Sequence, residues 1–396
     1  GKLMLYTQGA GIAPWHCLPI SLDVGTDNEE LLNDPDYLGW RHKRLKGDEY
    51  YAFIEKFVIA FKKRFPHALC QWEDFSKQTA FTVRDKYLKE LISFNDDIQG
   101  TGSVALAGIL AAMKVTKQKM TDQVYLVSGA GAGGIGIAEQ IQTELMEQGL
   151  NEKDAIAKIF TMDSRGIVTN DRELEPYKIK FAKDPKTLAW LKTPEDNTLL
   201  ATIKNEKITV LIGTSGQPGQ FTKQIVKAMC ENSDRPVILP LSNPTTKAEA
   251  LPKDIYEWSN GKALVATGSP FDPVHYNGKD YRVGQMNNSF IFPGVGLGVV
   301  ASGATEVLPV FFSAAAHAVA EFVSEDDIKD GILFPSLDKL RAVSLEVAKR
   351  VGAEAIKAEV TQKDCAFSKF NHNNDPERLN TIVDKMCWSP KYFDQL

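Results

Sequence analysis

The chain has 396 residues, 43% of them hydrophobic, and at about 150 residues per domain this length predicts two domains with substantial cores. Its formal net charge is −5 with acidic and basic residues interspersed, which excludes a basic stripe for the phosphates of a nucleic acid. The longest apolar runs, such as residues 290–301, are shorter than the roughly 20 residues that cross a bilayer, so no membrane span is expected.

In the first hundred residues, apolar runs and helical spacings predict strands at 18–24, 68–72 and 92–94 and helices at 48–65 and 80–91. The last two strands each end at an acidic pair, Glu73 with Asp74 and Asp96 with Asp97. Open α/β sheets place their ligands at such strand ends. Hard cations such as Mg²⁺ or Mn²⁺ prefer carboxylate oxygens, so the four side chains together are candidate ligands. Either pair taken alone would be interpreted as a solvated acidic turn, because most such pairs in loops bind nothing.

From Gly100 onward the pattern alternates between helices and strands. The predicted strands lie at 124–128, 159–162, 209–212, 237–241 and 263–267, and the predicted helices at 101–114, 135–149, 314–322 and 337–351. A strand, a glycine turn, a helix and a second strand form a βαβ unit, and repetition of this order indicates a parallel sheet. The predicted fold class is α/β, with a Rossmann-type doubly wound parallel sheet and a second α/β domain. A polar, irregular tail is expected at the end.

A glycine-rich loop follows the strand at 124–128, and residues 129–134 match GxGxxG. Gly129 allows a tight turn, Gly131 lets the backbone approach a pyrophosphate, and Gly134 lets the helix pack closely on the strand. Ala132 and Gly133 complete the loop. Because a strand precedes it and a helix follows, dinucleotide binding is favoured over an ordinary glycine turn.

Asp163 ends the next strand, where a carboxylate accepts the ribose hydroxyls of a dinucleotide. A carboxylate there repels the 2′-phosphate of NADP, which favours NAD. Arg165 and the more distant Lys178 supply positive charge, so NADP stays open. Gly213 and Ser215 form a further loop that we expect to contact the cofactor, since no GxSxG motif marks Ser215 as a nucleophile.

The five cysteines are far apart and include no CxxC pair: Cys17, Cys70, Cys230, Cys365 and Cys387. Their odd number and spacing argue against a disulfide framework and a zinc knuckle. A reducing, cytoplasmic location is therefore expected.

Residues 94–101, FNDDIQGT, closely resemble the signature of malic enzymes. Other segments resemble the same family in family order: 1–7, 22–28, 72–75, 241–245, 267–271, 287–288 and 293–295. The resemblance covers nearly the whole chain and fades after about Leu333. It implies oxidative decarboxylation of L-malate to pyruvate and CO₂, with reduction of NAD and dependence on Mn²⁺ or Mg²⁺.

The resemblance also implies roles for individual residues. These are a catalytic Lys2 with Asp96 beside it, the metal ligands Glu73, Asp74 and Asp97, and the asparagines Asn243 and Asn288, which bind malate near the nicotinamide, Asn243 also touching the cofactor. A nearby divalent cation would lower the pKa of Lys2, whereas Asp96 would raise it. Without the resemblance, position 2 would be taken for a disordered terminus.

Two departures from the family leave alternatives open. The general-acid tyrosine and a substrate-binding arginine of malic enzymes lie in a segment before the lysine, and we expect this chain to lack that segment and to turn malate over poorly. Ala132 stands where malic enzymes commonly have glutamate, a departure shared by malolactic enzymes, which release lactate without net oxidation. Residues 268–271 resemble malic enzymes instead. A malolactic enzyme and a non-catalytic dinucleotide-binding subunit therefore remain alternatives.

The expected organisation has three segments. Residues 1–96 form the malate- and metal-binding part, 97–287 the NAD-binding domain, and 288–396 a helical return to the first part with the tail. We also expect a homo-oligomer, either a dimer or a tetramer, that binds L-malate and neither a nucleic acid nor a membrane.

Overall fold

The computed structural model describes residues 1–362 and 375–390, and it confirms the predicted α/β class. The strands are β1 (Cys70–Trp72), β2 (Ser93–Asn95), β3 (Tyr125–Ser128), β4 (Ile159–Asp163), β5 (Gly166–Ile167), β6 (Val210–Gly213), β7 (Val237–Pro240), β8 (Leu264–Thr267), β9 (Val274–Tyr276), β10 (Lys279–Tyr281) and β11 (Gly284–Gln285). The α-helices are α1 (Lys2–Gln8), α2 (Glu29–Asn33), α3 (Gly47–Arg64), α4 (Lys77–Tyr87), α5 (Thr101–Thr116), α6 (Ala132–Glu147), α7 (Glu152–Ala157), α8 (Leu199–Asn205), α9 (Lys223–Asn232), α10 (Pro252–Trp258), α11 (Phe292–Ser302), α12 (Pro309–Glu321), α13 (Glu325–Asp330), α14 (Leu340–Lys357) and α15 (Pro376–Met386).

The larger sheet has seven strands in the order β11-β8-β7-β6-β3-β4-β5, all parallel except β5. Both of its faces are covered. In β3, Tyr125 and Val127 enter one hydrophobic core and Leu126 enters another, as expected for a parallel strand buried on both sides. The chain runs from β3 to β4 on one side and later reaches β6 on the other. The crevice at the carboxyl ends of β3 and β6 is therefore the point where doubly wound sheets bind their ligands.

The smaller parallel pair, β1 and β2, lies against α3 and α4. Its register sets Trp72 opposite Asn95, so the residues that follow, Glu73 and Asp96, start at the same edge. Trp72 is buried among aromatic side chains from α3 and α4, including Phe57 and Tyr87. This packing fixes where the two acidic pairs begin.

The predicted strand at 18–24 is wrong. These residues are an extended, largely exposed loop, in which Val24 is buried and accepts a hydrogen bond from Leu45 N at 2.9 Å. No strand lies beside it in the described chain, so its apolar side chains have no sheet to cover. The other predicted strands and helices are present with ends shifted by a few residues; α4, for example, begins at Lys77.

The polar tail is only partly irregular. Helix α15 lies within it and buries Leu379, Ile382 and Val383 beside α11 and α14. The polar and charged residues between and around these three positions masked the helical spacing. Residues 363–374, with Cys365, and residues 391–396 lie outside the described residues.

Residues Asp96–Thr116, a π turn followed by α5, have the length and apolarity of a membrane span. The helix itself was predicted at 101–114, but its length and apolarity as a possible span were not recognised from the sequence. However, 78% of its most apolar stretch is buried inside the protein, where α5 packs on α6 and α12 and the Ser103 hydroxyl donates to Phe312 O at 2.7 Å. This helix is therefore the centre of the core. Tyr6, Ile98 and Val295, one from each predicted segment, share the same hydrophobic cluster.

Candidate active site

Lys2 begins α1 and is held in place by contacts with residues distant in sequence. Its Nζ lies 2.5 Å from Asp96 Oδ2, 3.1 Å from Glu73 Oε1 and 4.6 Å from the centre of the Phe292 ring. The two carboxylates come from the adjacent ends of β1 and β2. The fate expected from its position alone, a disordered terminus, is therefore wrong for Lys2.

Charge and burial oppose each other in this ion pair. Burial disfavours the ammonium, but Asp96 and Glu73 outweigh it and raise the pKa of Lys2. Burial raises the pKa of the Asp96 carboxyl to about 6, although Lys2 opposes the shift. Asp96 Oδ1 is buried without a hydrogen-bond partner among the described residues. It occupies the place where a Cβ at Gly100 would lie, so the glycine of FNDDIQGT makes room for this carboxylate.

Asn288 lies on the other side of the same acidic turn. Its Nδ2 is 3.1 Å from Asp96 O and 3.1 Å from Thr101 Oγ1. The residue begins the short 3₁₀ turn that leads into α11. These contacts join the chain after β11 to the start of α5, so a predicted substrate-binding residue lies beside a predicted catalytic one.

The candidate metal ligands share one edge of the β1–β2 pair. Asp74 N donates to Asp97 Oδ2 at 2.9 Å, and Asp74 adopts a positive φ of 61°. Burial and the charge of Glu73 raise the pKa of Asp97. Glu73 is engaged by Lys2. Among the described residues, no three His, Cys, Asp or Glu side chains already converge as metal ligands, so the predicted set is adjacent but not closed around a cation.

A cavity of about 280 Å³ brings groups from all three predicted segments together. Its lining residues are Lys2, Asp97, Thr101, Val104, Leu241, Asn243, Met286, Asn287 and Asn288. The predicted lysine, one predicted metal ligand and both predicted asparagines thus face one space. Its size suits a small organic acid rather than a polymer.

The glycine-rich loop packs as tightly as its sequence predicts. Gly129 has φ +122°, and a Cβ there would lie 2.5 Å from the backbone of Thr214. A Cβ on Gly134 would lie 1.9 Å from Gly129 O. Ala132 begins α6, and a Cβ on Gly133 would lie 3.2 Å from the Thr101 side chain. The amino end of α6 therefore opens at the crevice, close to the cavity, while little lies against Gly131.

Asp163 lies at the end of β4 and accepts three hydrogen bonds: from Arg165 N at 2.9 Å, from Arg172 at 3.0 Å and from Lys178 Nζ at 3.1 Å. Burial disfavours its charge, but these donors outweigh burial and lower the pKa of Asp163. The Arg165 guanidinium points elsewhere, to Glu173 O at 3.1 Å. Arg172 was missed in the sequence, because no motif marks its return to the strand end.

Two further strand ends lie beyond β3. Gly213 ends β6, and Ser215 N donates to Glu249 Oε1 at 2.8 Å. After β7, Asn243 Oδ1 accepts a hydrogen bond from Ser269 Oγ at 2.6 Å. Glu249 is fully buried, and no sequence motif marks it because it lies in an irregular stretch before α10.

Comparison with known proteins identifies the family of this chain. The family model described as "Malic enzyme, N-terminal domain" matches residues 1–88, and the one described as "Malic enzyme, NAD binding domain" matches residues 98–356. A protein of Acinetobacter baylyi named NAD-dependent malic enzyme is 43% identical over 394 residues, which are 99% of this chain and 68% of that protein. One of the same name from Pectobacterium atrosepticum is 44% identical over 397 residues, with the same coverage.

Solved structures share the fold at lower identity. The malic enzyme of Pyrococcus horikoshii matches with a TM-score of 0.68 at 24% identity, covering 98% of this chain and 75% of that one. The malic enzyme of Entamoeba histolytica matches with a TM-score of 0.68 at 22% identity, covering 98% and 74%. With both family models matched in order and relatives above 40% identity along nearly its whole length, this chain belongs to the malic enzyme family.

Proposed function

We propose that this chain catalyses the NAD-dependent oxidative decarboxylation of L-malate to pyruvate and CO₂ with Mn²⁺ or Mg²⁺. The observation that carries the proposal is the shared cavity, because Lys2, Asp97, Asn243 and Asn288 face one space beside the crevice of the dinucleotide-type sheet. Membership of the malic enzyme family and the names of the curated relatives support the same reaction.

The residues fit a dinucleotide. The backbone of the 129–134 loop is too closely packed at Gly129 and Gly134 for side chains, while the space at Gly131 is open apart from the Lys77 side chain. Such a loop at a helix start binds a pyrophosphate through backbone N–H groups. Asp163 would accept the ribose hydroxyls, which favours NAD over NADP, and the loops of Gly213 and Ser215 would contact the other half. When bound, NAD supplies the hydride acceptor.

The donor set fits a hard divalent cation. Glu73, Asp74 and Asp97 offer carboxylate oxygens, the donors that Mg²⁺ and Mn²⁺ prefer. The hydrogen bond from Asp74 N to Asp97 keeps two of them together, and Glu73 would exchange its contact with Lys2 for the cation. When bound, the metal supplies Lewis-acid polarisation of the oxygen on malate C2.

The remaining chemistry falls to this chain's own side chains. Lys2 would take the proton of the C2 hydroxyl as the neutral amine, a form that loss of its contact with Glu73 favours, and Asp96 would hold the lysine in line through its 2.5 Å contact. Asn243 and Asn288 would bind the polar groups of malate at the cavity wall. Asn288 is already fixed by Asp96 and Thr101, so it would orient substrate without first becoming ordered.

The test is malate-dependent formation of NADH by the purified chain, measured by NADH absorbance with parallel assays for pyruvate and lactate. Slow formation of NADH and pyruvate in equal amounts, dependent on added Mn²⁺ or Mg²⁺, is expected. Lactate without accumulating NADH would replace the proposal with the malolactic reaction, which Ala132 favours. Dinucleotide binding without either product would replace it with a non-catalytic subunit.

The proposal also covers the domain organisation, the assembly and the cellular location of the chain. Residues 1–96, 97–287 and 288–396 would act as the malate part, the NAD-binding domain and the helical return. Assembly into a homo-oligomer, a dimer or a tetramer, is expected and is measured by light scattering. A reducing cytoplasm is consistent with free thiols at the four described cysteines: Cys17, Cys70, Cys230 and Cys387.

A further inference from the structure

Glu249 is a fully buried carboxylate that none of the steps above uses. It lies between β7 and α10, and within residues 1–362 and 375–390 no ion pair reaches it. Its Oε1 lies 2.8 Å from Ser215 N, 3.3 Å from Gly216 N and 2.5 Å from Ser242 Oγ, and its Oε2 lies 3.4 Å from Ser242 N. Only neutral donors therefore surround a buried carboxylate.

These donors come from two adjacent strand ends. Ser215 and Gly216 follow β6, Ser242 follows β7, and Gly216 N also donates to Ser242 Oγ at 2.9 Å. Backbone N–H groups can only donate, so the side chain at 249 must accept on both oxygens. A carboxylate does so and an amide does not. Burying a carboxylate is costly unless its hydrogen bonds are made, which ties both loops to one geometry.

The backbone of β6 is shaped to receive this side chain. A Cβ on Gly213 would lie 2.5 Å from Glu249 Cδ, so any larger residue at 213 would displace the carboxylate. On the other side, Ser242 is followed directly by Asn243, whose Oδ1 accepts from Ser269 after β8. A continuous set of contacts therefore runs from Glu249 to the cavity-lining asparagine.

We infer that Glu249 is the positioning residue for the nicotinamide half of the dinucleotide site, an inference that rests on the proposed function. The glycine-rich loop lies at the end of β3 and Asp163 at the end of β4, so the adenosine half occupies the β4 side of the crevice. The β6 and β7 loops then receive the nicotinamide half. Glu249 fixes these two loops to each other and sets Asn243 against the ring and malate.

The deciding experiment compares Glu249→Gln with the unchanged chain in two binding titrations and one kinetic assay. With ADP-ribose, which has no nicotinamide, the dissociation constant should change less than about twofold. With NADH, the emission of the bound nicotinamide should shift toward that of free NADH. The kcat for malate should fall about 10- to 100-fold, the cost of small misplacement of a reacting group, while the KM for NAD changes less. Equal loss of ADP-ribose and NADH binding would reveal a merely structural role and overturn the inference, as would unchanged nicotinamide emission and kcat.

Two further variants complete the experiment, the first as a control and the second as an independent test. Glu144→Gln removes another buried carboxylate, at the far end of α6, and should leave kcat and nicotinamide emission unchanged. Ser242→Ala removes one hydrogen bond to Glu249 without altering buried charge, and it serves if Glu249→Gln does not fold. The emission of NADH bound to Ser242→Ala should shift toward that of free NADH by a smaller amount than in Glu249→Gln. No shift would overturn the inference.

Failure of the proposed function is recognised separately. Absence of malate-dependent NADH and pyruvate with the unchanged chain would contradict the reaction. The ADP-ribose and NADH titrations require no turnover, so they still decide whether Glu249 positions the nicotinamide half.

Discussion

Lys2 acquires its place from Asp96, which is 94 positions away in the chain. If it takes the proton from malate, Lys2→Ala should lower kcat by about 10² to 10⁴, the usual contribution of a general base. NAD affinity should hardly change, since the lysine contacts carboxylates rather than the glycine loop. A small amine added to the assay should restore part of the rate.

Lys86→Ala is the matched control, because Lys86 pairs with Glu55 on the surface. Its kcat should equal that of the unchanged chain. A full rate in Lys2→Ala would remove the lysine from the chemistry.

Replacing Asp97 by asparagine removes one anionic oxygen from the candidate metal site and leaves the side-chain volume nearly unchanged. Asp97→Asn should therefore abolish the dependence of activity on Mn²⁺ or Mg²⁺ and weaken metal binding in a calorimetric titration, while the circular dichroism spectrum is retained. Metal affinity equal to that of the unchanged chain would show that Asp97 is not a ligand.

Asp163 pairs with two cationic side chains, Arg172 and Lys178, which a 2′-phosphate would also attract. Asp163→Ser removes the repulsive carboxylate and frees Arg172 and Lys178, so the NAD to NADP ratio of kcat/KM should narrow about tenfold. NAD itself should bind more weakly because its ribose acceptor is lost. If the ratio stays constant, another residue recognises the ribose.

Sequence reasoning found residues whose position the βαβ unit fixes, such as the glycine-rich loop and Asp163. It did not find Arg172 or Glu249, because their places depend on how irregular loops return to the strand ends. Lys2 could be found only through resemblance to a family. Its function depends on an ion pair across the fold, which no local pattern encodes.

The parallel strands were predictable because burial on both faces leaves continuous apolar runs, as in β3 and β6. The run at 18–24 has similar apolar content but no neighbouring strand, and it remains a loop. Helix α15 shows the opposite error, since few of its side chains are buried and its charged residues resemble a tail. Tertiary neighbours, absent from any local window, decide both cases.

An ion pair joins helix α6 to helix α12. His317 Nε2 on α12 lies 3.0 Å from Glu144 Oε1 on α6, with Glu147 and Glu321 also near the ring. The hydrogen bond to Glu144 raises the pKa of His317 above its ordinary 6.5. Burial opposes the charge of Glu144, but His317 outweighs it and lowers the pKa of Glu144 below 4.5.

The stabilisation by this pair is complete between pH 4.5 and 6.5, the two ordinary values. It is lost above that window as His317 deprotonates through its raised pKa, and below it as Glu144 is protonated. His317→Gln should therefore lower the free energy of unfolding by about 1 kcal/mol near pH 5.5 and by less near pH 8.5, allowing for the partial exposure of the ring. Urea unfolding at both values measures this, and an equal loss at both would contradict it.

At the scale of the whole molecule, one hydrophobic cluster draws on all three predicted segments, from Tyr6 to Ala355. Phe75 packs against both this cluster and the smaller core around Trp72. The chain should therefore unfold in one cooperative transition, with the same midpoint by tryptophan fluorescence and by far-UV circular dichroism. A Trp72→Phe variant identifies the fluorescence change of the first segment, and an earlier midpoint for that change would show that this segment unfolds on its own.

The position of the central helix α5 in the sequence also delays its burial while the chain is being synthesised. Ser103 on α5 and its partner Phe312 are separated by 209 positions, so the ribosome completes the helix long before it makes the surface that covers it. At roughly 5–20 residues per second this delay is about 10–40 s. During that interval the nascent chain presents a segment as apolar as a membrane span. Its yield in cells then depends on the supply of chaperones that shield such segments, and slower synthesis at low temperature lengthens the exposure while it weakens hydrophobic aggregation.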